Sequence, residues 1–150
     1  VWSYMVGGLY RGWISAALVA AVGLPFTDGV ENWLLALAVL ILTGIIFSAL
    51  GVMTGIWADS FDQQAFVAAL IISPLALLGG VFYNVETLSE PWRTLTLFDP
   101  IYYLVDAERA GITGLHESAV WLSVIVAAVV AVLATLWAIR QFRRGKRLRP

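Results

Sequence analysis

Long apolar runs alternate with short polar breaks along this chain. Four runs, at about 4–26, 33–57, 65–85 and 119–139, are long enough to cross a bilayer, which takes about 20 residues of helix. Lipid cannot satisfy free backbone N–H and C=O groups, so helix is the predicted state of each. Between the third and fourth runs the pattern changes. A polar turn with Glu86 and Glu90 leads into an amphipathic segment ending at Leu97, a break at Asp99-Pro100 and an aromatic-rich helix to Arg109. The stretch 86–117 reads as a structured helical cap at a membrane interface.

Punctuation inside the runs refines this outline. Leu24-Pro25-Phe26-Thr27-Asp28-Gly29 stops the first helix, and Trp33 and Trp57 bracket the second at its two interfaces. Gly8, Gly12 and Ala16 recur at four-residue spacing, and Gly51 and Gly55 form a G-x-x-x-G; both patterns let a neighbouring helix approach closely. Ser60 or Asp62 is placed to cap the third helix. Pro74 in its middle predicts a kink, since proline removes a backbone hydrogen bond. Arg11 lies early in the first run, where the simplest reading is an entry-side residue reaching the headgroups, with a cavity-facing Arg as the alternative.

Composition agrees with a membrane chain: 61% hydrophobic and 13% charged residues, with a mean hydropathy of +0.87. The net charge of -1 hides a strong asymmetry, because six of the nine Lys and Arg residues fall within 140–150. Basic residues flanking spans stay in the cytoplasm, which puts the C-terminus inside and, after four crossings, Arg11 on the same side. The cap then lies outside. Val1 is preceded by no charged leader segment, so the chain is expected to begin within a larger protein.

Catalytic constellations fail one by one. Cysteine is absent and His116 is the one histidine, so His116-Glu117 lacks the second histidine of a zinc-protease helix. Ser48 and Ser73 have no intramembrane base, and there is no phosphate-binding G-x-x-x-x-G-K-[ST] loop. No catalytic, cofactor or metal site is expected. A basic tail directly after a span is a topology signal and a contact for acidic lipid rather than a nucleic-acid site.

One pattern is specific. Pro74-Leu75-Ala76-Leu77-Leu78-Gly79-Gly80-Val81-Phe82-Tyr83, followed by Leu88-Ser89-Glu90-Pro91-Trp92 and then by the run from Asp99-Pro100-Ile101-Tyr102-Tyr103 to Arg109, Gly111 and Gly114, resembles ABC type-2 exporter permeases. The nearest subgroup is the bacterial multidrug, polysaccharide and nodulation-factor permeases, which the upstream run from Gly51 to Asp62 also resembles. The chain departs from the pattern at Asp99, where the family usually has Asn, and at Asn84, where many members have Pro. The resemblance implies an all-α integral membrane fold with a re-entrant outer cap, of which this chain is the last four helices. It also implies a second permease subunit and a separate ATP-binding subunit that does the hydrolysis.

On that reading the candidate gate comprises Gly79, Gly80, Pro91, Trp92, Asp99, Pro100, Tyr102, Tyr103, Arg109 and Gly114. Trp92, Phe98, Tyr102 and Tyr103 would anchor the cap at headgroup level. Glu86 and Glu90 read as solvated loop charges, and Asp106 or Glu108 as an ion-pair partner for Arg109 or as facing water. Pro100→Ala is expected to impair transport more than Glu117→Ala. Two other readings stay open: a scaffold that works through its small-residue faces, and an ion-coupled transporter, a class that usually carries ionisable residues mid-helix.

Overall fold

A computed structural model describes residues 2–23, 29–80 and 85–144. Pro25, Phe26, Val81, Phe82, Tyr83 and the tail beyond Arg144 lie outside the described residues. The order is α1 (Trp2–Gly23), α2 (Trp33–Trp57), α3 (Phe61–Val67), a π-helical segment (Ala68–Ile72), α4 (Ser73–Leu78), a 3-10 turn (Val85–Thr87), α5 (Trp92–Leu97), α6 (Pro100–Thr113) and α7 (Val120–Arg144). No strand occurs among the described residues. Three stretches are long and apolar enough to cross a membrane: Trp33–Trp57, Phe61–Leu78 and Val120–Arg143. The first expected span, α1, is a further helix of 22 residues.

Local chemistry sets the ends. Asn32 caps α2 by accepting from the Leu35 N–H at 3.0 Å, and Ser60 caps α3 by accepting from the Gln63 N–H at 3.3 Å. The third span therefore starts at Phe61 rather than at 65, because the cap recruits the polar Asp62-Gln63-Gln64 turn. It stops at Leu78 rather than at 85, where Gly79 and Gly80 turn the chain and Gly80 takes φ 77. A π-helical segment precedes Pro74: the Ser73 N–H and hydroxyl both reach the Ala68 carbonyl five residues back, the latter at 3.1 Å. α7 continues five residues past 139, carrying Arg140 and Arg143 on helix.

The core is built on α2. It packs against α1, α6 and α7. Ile46, Leu104, Ala127 and Ala131 form one buried cluster and Ala49 with Ala138 another. Small residues bring α6 close, since a Cβ on Gly111 would stand 2.7 Å from the Ala36 backbone nitrogen. The Glu31 and Asn32 N–H groups donate to the Ile112 and Gly111 carbonyls at 3.0 and 2.8 Å, tying the entry of α2 to the end of α6. Within the stretch expected as a re-entrant or interfacial cap, α6 lies inside the bundle, along the Trp33 half of α2.

Candidate functional site

Where α6 meets α7, one polar cluster forms inside this apolar frame. Asp106 is 2% exposed and accepts from four donors. The Glu117 and Ser118 backbone N–H groups lie at 2.6 and 3.3 Å, the Ser118 hydroxyl at 2.6 Å and the Ser123 hydroxyl at 3.0 Å. Ser118 and Ser123 also meet each other at 2.7 Å. A buried carboxylate without a cation is held by converging donors in this way.

Arg109, one turn along α6, makes a second arrangement. Its guanidinium pairs with Glu117 at 2.9 Å and donates to the Gly80 carbonyl at 2.7 Å. The other Glu117 oxygen accepts from the Val85 N–H at 3.0 Å. The Glu117 side chain is 9% exposed and that of Arg109 28%. This clasp joins the top of the third span, the re-entrant helix and the lead into α7. Tyr102 stands beside it: burial, with the Asp106 and Glu117 carboxylates adding to it, pushes the phenol up to about 12.

Of the predicted gate residues, Gly80, Tyr102 and Arg109 meet this cluster. Asp99 caps α6, accepting from the Ile101 N–H at 2.8 Å ahead of Pro100 at the first helical turn. The Asp that replaces the family's Asn therefore still caps. Its second oxygen is buried and unpartnered, and burial raises its carboxyl above the usual range, with the Ile101 N–H opposing. Gly79 meets the start of α6 so closely that a Cβ would sit 2.9 Å from Ile101. Gly114 ends α6 at φ 73, a left-handed position that favours glycine.

Several expectations change. Tyr102 is buried rather than at the headgroups, and its ring meets Tyr103 edge-on at 5.1 Å. The Tyr103 hydroxyl donates to the Leu97 carbonyl at 2.9 Å. Trp92 and Phe98 are exposed, and Pro91 lies exposed beside Trp92. Arg109 pairs with Glu117, not with Asp106 or Glu108, so Glu117 joins the cluster and ranking it below Pro100 loses its basis. Glu90 accepts from the Thr94 hydroxyl at 2.6 Å. Sequence reading passed over Ser118, Ser123 and Glu117 because their partners come from α6 and from Gly80 and Val85, far away in sequence. No group of residues that could hold a metal ion occurs among the described residues.

The packing glycines divide. A Cβ on Gly8 would meet the Ser48 hydroxyl oxygen at 2.8 Å and one on Gly44 the Leu9 side chain at 2.6 Å, so α1 and α2 close on these two. Gly12 and Gly51 face open space, and the nearest atom to a Cβ on Gly55 is Gln64 Nε2 at 3.4 Å. These three line a groove of 1120 Å³, together with Arg11. Arg11 is exposed and lines this groove.

Comparison with known proteins agrees with this architecture. The family model described as ABC-2 type transporter matches residues 1–113. The inner membrane transport permease YadH of Escherichia coli K12 is 33% identical over 147 residues, covering 96% of this chain and 57% of the relative. Nodulation protein J of Rhizobium leguminosarum bv. viciae is 29% identical over 119 residues, covering 77% of this chain and 46% of the relative. The chain thus spans about half the length of these relatives. No solved structure was found to match it. With apolar helical spans, a short helix packed into the bundle ahead of the last one and three quarters of its length matched by the family model, the chain belongs to the ABC-2 type transporter family.

Proposed function

We propose that this chain is the membrane-spanning part of an ATP-driven exporter permease, embedded in the inner membrane with its C-terminus cytoplasmic. It forms the pathway with a second permease subunit, and a separate ATP-binding subunit supplies the energy. The cargo is a drug-like, lipid-linked or polysaccharide molecule. One observation carries this reading: Arg109, Glu117, Gly80 and Val85 tie the outer end of the third span to a re-entrant helix and to the last span. A clasp of this kind fits an outer gate, because releasing it frees an apolar span, Phe61–Leu78, of which this chain buries none of the apolar window.

Efflux measured in cells that carry the full-length permease, with and without its ATP-binding partner, tests the reading. Export should need both proteins, and Glu117→Gln should lower or uncouple it while the protein still reaches the membrane. Transport that continues with no nucleotide-binding partner would sink the exporter reading. It would favour the ion-coupled alternative, for which the buried, unpartnered Glu108 oxygen in α6 is the supporting observation. Disturbed complex assembly with no effect on solute export would point to the scaffold.

A further inference from the structure

Glu117 is held in two different ways. Its backbone N–H donates to one Asp106 oxygen at 2.6 Å, while the second Asp106 oxygen takes the Ser118 N–H, the Ser118 hydroxyl and the Ser123 hydroxyl. Its side chain divides, one oxygen to Arg109 at 2.9 Å and the other to the Val85 N–H at 3.0 Å. Asp106 and Arg109 stand three residues apart on α6 and so share a face. One helix therefore grips Glu117 by both its backbone and its carboxylate. What crosses to the third span's side is thinner: the Val85 N–H on Glu117, and Arg109 on the Gly80 carbonyl at 2.7 Å. Beside these two bonds Gly79 offers α6 only backbone, set so close that a Cβ would stand 2.9 Å from the Ile101 side chain.

The two halves also differ in what parting them costs. Asp106 is fully buried; drawn away from its donors it becomes a buried charge with nothing to hold it. Arg109 is partly exposed, so water can replace the Gly80 carbonyl. The Val85 N–H heads a 3-10 turn, and no bond within the turn depends on it. We propose that Asp106 is a positioning residue: it fixes the 117–118 peptide on α6 and thereby aims the Glu117 carboxylate at Arg109 and Val85. The end of α6 and the lead into α7 are then one body, and the clasp parts along Gly80 and Val85 with the Arg109–Glu117 pair still made. That this parting opens a pathway rests on the exporter reading; the grip of Asp106 on Glu117 does not.

Amide hydrogen exchange in the full-length permease, reconstituted in nanodiscs without nucleotide, tests the asymmetry. Val85 should exchange about tenfold faster than Glu117 and Ser118, the factor for one hydrogen bond to a charged group. Asp106→Asn should speed all three amides, Val85 included, although the Val85 N–H bonds Glu117 and not Asp106. Glu117→Ala should speed Val85 alone. A merely structural Asp106 would speed Glu117 and Ser118 and leave Val85 as it was, which overturns the proposal. So would Val85 exchanging no faster than Glu117 and Ser118, or Glu117→Ala speeding all three alike. Where Asp106→Asn also speeds exchange around Ile46 in the core, Ser118→Ala takes its place. Loss of that one hydroxyl donor should speed all three amides by a smaller factor and spare the core; an unchanged Val85 overturns the proposal there too. Because exchange is read without nucleotide, export that needs no ATP-binding partner would sink the exporter reading and leave this result standing.

Discussion

Asp106 and Glu117 are both carboxylates at the head of α7, yet they differ in what holds them. Asp106 has only neutral donors, two from backbone and two from serine hydroxyls. Asp106→Asn would turn an NH2 group toward those donors, and hydrogen bonds to a charged acceptor are worth about 1.5–3 kcal/mol each way. A loss of about 3 kcal/mol is expected, against about 1 for Ser123→Ala, which removes one donor. Thermal melts of the detergent-solubilised full-length protein would rank the two, and equal losses would count against Asp106 as the hub. Glu108 offers a different test. Burial, with no neighbouring charge contributing, raises its carboxyl from 4.5 to about 7, so the folded chain favours the neutral acid. That contribution is complete below about 4.5, declines as pH rises and is gone above about 7. Glu108→Gln should flatten the decline and melt higher than the parent at pH 8; parallel pH profiles for both proteins would refute the burial argument. Neither role was legible in sequence. Glu108 and Asp106 look alike on paper, and only the docking of α6 separates an acid that meets donors from one that does not.

Elements were far more legible than residues, for a simple reason: apolar run length is local information, whereas pairing is not. α2 spans the expected 33–57, because Asn32 caps its start on the Leu35 N–H and the Ala58 N–H closes its end on the Thr54 carbonyl, both within one turn. The third span was read too long at its outer end because Val81, Phe82 and Tyr83 continue the apolar run after Gly79-Gly80 has already turned the chain. Hydropathy alone put α6 at an interface for another reason. Its aromatic residues suggested an interface, while Ala107, Ala110 and Gly111, the small residues that admit it to the bundle, carry little hydropathy signal. Gly111 decides that depth. Its Cβ would lie 2.7 and 2.9 Å from the Ala36 backbone nitrogen and Cα, where backbone has to give way. Gly111→Val should therefore cost more than the roughly 1–3 kcal/mol of ordinary overpacking and push α6 outward. Cysteines at Ala36 and Ala110 would report it: disulfide formation should fall when Gly111→Val is added, and unchanged cross-linking would mean that α6 is held by the clasp alone.

Across the whole molecule, the spans are unequally satisfied. α2 and α7 each bury part of their apolar window inside the chain, whereas the window from Phe61 to Leu78 buries none of it. Phe66, Leu70 and Leu77 are all more than half exposed there, and the clasp fixes the span only at its outer end. A bilayer solvates such a surface, so exposure alone does not call for a partner. The broken backbone argues further. Pro74 has no N–H to give the Leu70 carbonyl, which a regular helix would satisfy, and lipid offers it nothing. In the paired permease proposed above, this span would line the seam between subunits, with its irregular middle facing protein or a polar pathway. Single cysteines at Phe66, Leu70 and Leu77 of the full-length permease should then cross-link between two copies in native membranes, while cysteines at Val129 and Leu133 of α7, equally exposed in the chain, should not. Adding nucleotide to the complex with its ATP-binding partner should shift the yield at Leu77, nearest the clasp, more than at Phe66. Cross-linking confined to α7 would move the seam to the other side of the molecule and leave the third span facing lipid.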